Sequence, residues 1–145
     1  MGTSVTIPAD VIRDIRRGLC CLVGSAAEGI VQLVELPRHE YHPEWFQKPR
    51  AQLAGALALL DLLGPDAGCP PRHVDVELGA HGQTLREAVR EYLPVREMQV
   101  READLTDSWR VAHGQPPKKQ RVIERLTALR EFAALLEMRL TDTRL

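Results

Sequence analysis

Apolar residues at Ile12, Ile15, Leu19, Leu22, Ala26, Ile30 and Leu33 recur in steps of three and four. Such spacing gathers them on one face of a helix, and it predicts a helix from Pro8 to about Val34. Thr6 is placed to cap its start, and Pro8 suits a first turn. Asp10 and Asp14 each precede an arginine by three positions, Arg13 and Arg17. Gly18, Gly24 and Gly29 weaken the helix but allow another backbone to come close. A competing reading ends the helix at Gly29 and makes "IVQLVEL" a strand.

The segment "LPRHEYHPEWFQKP" holds three prolines and reads as a connection. A second helix is expected from Pro49, with a glycine stop at Gly64. Its residues Leu53, Ala54, Ala56, Leu57, Leu59, Leu60, Leu62 and Leu63 are apolar nearly all round. A helix without a polar face calls for cover on several sides, so it is expected at the centre of the core. "GPDAGCPP" breaks the chain. "HVDVEL" then alternates Val74, Val76 and Leu78 with Asp75 and Glu77, a strand-like pattern: either it pairs with another segment or subunit, or it is an extended loop packing its apolar side onto helices.

A third helix is expected from Gly82 or Gln83, kinked or divided at Pro94, where proline removes a helix bond. "DLTDSWRVAHGQPP" reads as a second long loop. The last helix runs from about Pro117 to Leu140. Its stripe of Val122, Leu126, Leu129, Ala133, Leu136 and Leu140 is the strongest periodicity in the chain. That stripe fits a bundle helix or a dimer-forming one. The fold class expected is mainly all-α: one domain over residues 1–145, a bundle of about four helices, with a short extended segment near Val74–Leu78.

Composition narrows the picture. The 145 residues are 44% hydrophobic and 27% charged, which suits a folded globular chain. Roughly 70% of the unfolded surface of a chain this long is buried on folding, so it needs no metal or disulfide staple. The net charge of −1 provides no overall field for nucleic acid or membrane. Arginine far outnumbers lysine and asparagine is absent, a bias typical of high-GC bacterial genomes. The cysteines Cys20, Cys21 and Cys69 are odd in number and form no C-x-x-C pair, which suits a reducing cytosol. No uninterrupted apolar run nears eighteen residues, and the N-terminus lacks a basic region followed by an apolar one. A cytoplasmic location without membrane contact is therefore expected.

Four groups of residues carry candidate chemistry. His39 and His42, with Glu40 or Glu44 beside them and His73 or His81 elsewhere, offer metal-ligand types. Their three-residue spacing in a proline-bounded segment does not match a zinc-protease helix, and no third ligand is defined. Tyr41, Trp45 and Phe46, half of the chain's six aromatics, suit anchoring onto the core or onto a partner. Cys20 and Cys21 read as small hydrophobes. Lys118, Lys119, Arg121 and Arg125 crowd the start of the last helix, where the dipole disfavours cations. A bound anion, acidic neighbours or solvent must compensate there. Residues 116 onward hold seven basic and four acidic residues, whereas 65–115 hold six and nine, so these two parts either attract each other or both face water. No phosphate loop, dinucleotide glycine motif or nucleophile elbow is present.

The runs "EWFQKPRAQLAGALALLDLLG" and "VDVELGAHGQTLREAVREYL" resemble small uncharacterised helical proteins of high-GC actinobacteria. The resemblance spans Trp45 to Leu93 and implies no activity. The reading that follows is a non-catalytic protein without cofactor that associates with itself, as a homodimer, or with another protein. Its expected surfaces are Tyr41, Trp45 and Phe46, and the stripe Leu126, Leu129, Ala133, Leu136 and Leu140. The first alternative is a nucleic-acid-associated regulator using the four basic residues. The second is a metal-binding protein or metalloenzyme at His39 and His42.

Overall fold

The computed structural model describes residues 3–65 and 72–143. Four helices pack as a bundle beside a small antiparallel sheet. In chain order the elements are β1 (Ser4–Ile7), α1 (Ile12–Val34), two 3-10 turns (Arg38–Glu40 and Pro43–Phe46), α2 (Gln47–Leu63), β2 (Val74–Glu77), α3 (Leu78–Ala112) and α4 (Lys119–Thr143). The "GPDAGCPP" break, with Cys69, falls mostly outside the described residues.

The strand-like alternation at residues 74–78 finds its partner at the other end of the chain. β1 pairs with β2 in the register Ser4–Glu77, Val5–Val76, Thr6–Asp75, Ile7–Val74. Val5, Ile7 and Val76 turn inward and are buried, while Ser4, Thr6, Asp75 and Glu77 face outward, as the two-residue period of a strand requires. Thr6 does not cap a helix; its hydroxyl donates to the Asp75 carboxylate across the ladder. The carbonyl of Pro8 accepts from Val11 and Ile12 and opens α1.

α1 is a single helix through Val34, so the "IVQLVEL" strand does not form. Its stripe packs as the spacing demands: Ile12, Ile15, Leu19, Leu22 and Ala26 are buried. Beyond Ala26 the helix leaves the core, and Val31 and Val34 are exposed. By length and composition alone α1 could cross a membrane, a test that core helices of soluble proteins also pass. Its first half faces the core and carries the buried Asp14. Gly18 is where α3 comes closest. A Cβ there would sit 2.2 Å from the Ala88 carbonyl oxygen, so only glycine admits this crossing.

α2 departs from expectation. Only Ala56, Leu59 and Leu63 are buried, and Leu57 and Leu62 are 48% and 44% exposed. It lies at the side of the bundle, chiefly against α1, rather than at its centre. Gly64 ends it with φ of 72°, the conformation that favours glycine after a helix. Arg16 of α1 donates to the carbonyls of Leu63 and Gly64 at 3.1 and 2.9 Å, pairing acceptors that a helix end leaves open.

α3 also departs. It starts at Leu78, not Gly82, and continues unbroken through Pro94 to Ala112. The stretch expected to be a long loop is therefore mostly helix. Tertiary packing offsets the lost helix bond, because Leu85, Ala88, Val89, Tyr92, Arg96 and Ala103 are buried on both sides of the proline. α4 turns back along α3 and uses its stripe within the chain. Leu126, Leu129, Phe132 and Leu136 are buried, and Ala133 and Leu140 pack partly covered against the same core. Val122 is half-buried. The acidic middle and the basic end meet through Arg130–Glu97 and Lys119–Asp104, while Arg86–Glu137 joins the same helices with the charges the other way round.

Candidate anion-binding cleft

The last helix begins at Lys119, directly after Lys118, and neither side chain can accept from the free backbone N–H groups of the helix start. α3 supplies the missing acceptor. The two carboxylate oxygens of Asp107 take the N–H groups of Lys118 and Lys119, each at 2.9 Å. These bonds, led by that from Lys118, hold the Asp107 carboxyl below its usual range. The Lys119 ammonium rests on Asp104, whose hydrogen bond and charge raise its pKa. The anion that the helix start calls for is thus provided by the protein itself.

The other cations of this region turn elsewhere. A cleft of about 660 Å³ opens between the first half of α1, the second half of α3 and the start of α4. α1 contributes Arg13 and Arg17, one turn apart. α3 contributes a stripe of Arg96, Gln99, Ala103, Thr106 and Arg110, joined by Glu102 and Trp109. Lys118, just before α4, and Arg121, Val122 and Arg125 of α4 complete the lining. Seven of the thirteen lining residues are cationic and one is acidic.

The floor is anchored by a buried ion pair. Arg96 donates from Nε to one Asp14 oxygen at 3.0 Å and from Nη2 to the other. Its Nη1 donates to the Gln99 side-chain oxygen at 2.8 Å, and its guanidinium lies over the Tyr92 ring, 5.3 Å from the centroid. Arg17 donates to the Tyr92 hydroxyl at 3.0 Å. Arg96 is thus neutralised and held, and the lining as a whole carries more cationic than acidic side chains. Partial burial first, and then the charges of Arg121 and Arg96, lower the pKa of Arg125. Arginine remains charged near neutrality regardless, so the strain is electrostatic and an anion in the cleft would relieve it.

Trp109 stands on the lining near the end of α3 and is 56% exposed. His113 stacks against it, with ring centroids 4.1 Å apart and planes at 24°. Arg110 is fixed nearby by donating from Nε to the Pro116 carbonyl at 3.0 Å.

Of the four basic candidates read from the sequence, Lys118, Arg121 and Arg125 line this cleft, and Lys119 does not. Sequence reasoning missed Arg13, Arg17, Arg96, Arg110 and Trp109. Paired arginines four apart on α1 were a visible signal, as were those on α4. The α3 stripe became a stripe only once the helix ran through to Ala112.

The other candidates do not converge. His39 and His42 each contact a neighbouring glutamate, Glu40 at 3.7 Å and Glu44 at 3.4 Å. Among the described residues no group of three or more histidine, cysteine or acidic side chains is placed to hold a metal. Phe46 is buried, whereas Tyr41 and Trp45 are each 47% exposed. Tyr41 packs on Phe46 and Trp45 on His42. Cys20 and Cys21 are exposed free thiols, not buried hydrophobes, because both fall on the side of α1 away from the core. No family model, curated protein or solved structure matches the chain.

Proposed function

We propose that this protein binds a compact polyanion, such as a phosphorylated small molecule, in the cleft between α1, α3 and α4. One observation carries the reading: seven cationic side chains from three helices line a single concavity that includes one carboxylate. The volume of about 660 Å³ lies within the range of small-ligand sites. Guanidinium groups present forked donors that match phosphate and carboxylate oxygens. They do not exchange protons near neutrality, which favours binding over acid–base catalysis. The cleft is concave and local, and Lys119 is engaged by Asp104, so a small anion is favoured over a nucleic-acid backbone. Titration calorimetry with tripolyphosphate tests this. Binding should weaken steeply with salt and be lost in Arg121→Gln/Arg125→Gln. No heat at low salt would remove the reading, and much tighter binding of a DNA duplex would replace the occupant.

A separate observation favours self-association as a second role. Residues 18–34 carry one charged side chain, Glu28, and residues 51–63 one, Asp61. These neighbouring helices expose Val31, Val34, Leu57 and Leu62. Depletion of charge around exposed apolar residues marks the centre of an interface, and a two-fold dimer presents the same surface on both copies. The occupant proposed is a second copy of this chain. With the α4 stripe covered inside the chain, the exposed apolar residues of α1 and α2 are the surfaces proposed for the second copy. Light scattering at tens of micromolar should give a dimer that Leu57→Glu/Leu62→Glu converts to monomer. A monomeric wild type would sink it.

A further inference from the structure

Resting on the cationic-cleft reading, we infer that the anion is a nucleoside phosphate, its base stacked on Trp109 and its phosphates held by the arginines of α1 and α4. A cleft for phosphate alone has no use for an aromatic ring on its lining. Here an indole stands on the lining, more than half exposed, on the same helix that supplies Arg96.

The ring is also braced. His113 stacks against the indole, and its Nδ1 lies 2.8 Å from the Trp109 carbonyl oxygen. The backbone N–H groups of His113 and Gly114 close the helix end onto the Trp109, Arg110 and Val111 carbonyls, and Gly114 takes a φ of 73°. A ring already held loses little freedom when a flat ligand settles on it. Every nucleobase has a π-face, so stacking accepts a base without demanding a particular edge pattern. The remaining apolar lining, Ala103 and Val122, provides non-ionic surface beside the charges. Arg13 and Arg17 on α1 and Arg121 and Arg125 on α4 then face the phosphates from different helices, a placement that forked donors exploit.

Tryptophan fluorescence provides the test. The chain has two tryptophans, so Trp45→Phe leaves Trp109 as the sole reporter. In that background ATP should quench the emission and bind roughly ten-fold tighter than tripolyphosphate, the stacking contribution expected for one base. By calorimetry on the otherwise native chain, Trp109→Ala should reduce ATP to the affinity of tripolyphosphate and leave tripolyphosphate unchanged. Trp109→Phe should retain most of the ATP preference, which separates stacking from damage to the helix end. Equal affinities for ATP and tripolyphosphate in the native chain would overturn the inference while leaving the anion reading intact. So would equal losses for both ligands in Trp109→Ala. A single-stranded oligonucleotide binding more than ten-fold tighter than ATP would overturn the free nucleotide as occupant. Failure of every anion to bind would remove the underlying reading itself.

Discussion

Arg96 of α3 and Asp14 of α1 meet in a two-point fork, Nε and Nη2 on separate carboxylate oxygens, with side chains only 4% and 3% exposed. A buried pair of this kind contributes little net stability compared with a well-packed apolar pair, yet losing one partner leaves an uncompensated charge. Asp14→Ala is therefore expected to cost about 3–5 kcal/mol, the more so because Arg13, Arg17 and Arg125 also surround the cleft. The double substitution Asp14→Leu/Arg96→Met should recover most of the loss. Urea denaturation of both variants and of Arg96→Met checks this. Additive losses in the double variant would show that the two residues act independently.

The crossing of α1 and α3 at Gly18 predicts a contrast between two glycines of one helix. A methyl at Gly18 meets the Ala88 backbone at 2.2 Å, whereas a methyl at Gly24 meets nothing within 4 Å. Gly18→Ala must push the helices apart and should cost about 1–3 kcal/mol or more, as overpacking does. Gly24→Ala should stabilise by about 0.5–1 kcal/mol, since alanine suits a helix interior better than glycine. Thermal melts of the two variants should move in opposite directions. Shifts of the same sign would contradict the close approach.

The capping of α4 by Asp107 makes the helix start sensitive to acid. The folded-state pKa of Asp107 lies below the ordinary 3.8 because it accepts the Lys118 and Lys119 N–H groups. Its stabilising contribution is thus fully present above about pH 4 and is lost as pH falls through the depressed value. The Lys119 pKa is raised above 10.5 by Asp104, so that contribution is present below 10.5 and is lost as pH rises through the higher value. Hydrogen exchange of the first turn of α4, corrected for intrinsic rates, should accelerate at both extremes while the centre of the helix changes less. Asp107→Ala should expose the same turn at neutral pH. A first turn equally protected in that variant would remove the capping role.

Much of this architecture was legible because it is local. The α4 stripe, the α1 stripe and the Val74–Val76 alternation each repeat with a period that needs no knowledge of the partner. β1 was not legible, because four residues beside a proline form a strand only when Val5 and Ile7 find Val76 and Val74 some seventy positions away. Pro94 misled in the opposite sense. Its local cost is real, but buried Tyr92 and Arg96 on either side hold the helix through it. The cleft stayed hidden because residues 104–117 read as a loop, and Thr106 and Arg110 join the face of Arg96 only on a helix that reaches Ala112. The histidines at 39 and 42 drew attention by residue type, and geometry leaves each with its own glutamate.

The cleft itself predicts a conflict between stability and binding. Arg125 is partly buried beside Arg121 and Arg96, and its lowered pKa records the disfavour of placing its charge there. Sites that hold like charges together for a ligand are destabilised until the ligand arrives. Without anion, Arg125→Gln should therefore melt slightly higher than the wild type. With tripolyphosphate at about one hundred times its dissociation constant, the wild type should gain about 2.7 kcal/mol by mass action, and the variant far less. Sodium chloride at matched ionic strength must give a smaller gain, because screening alone does not occupy the cleft. Thermal melts of both proteins in both salts distinguish the cases. A tripolyphosphate gain no larger than that of matched chloride would mean that the arginines merely tolerate one another in solvent.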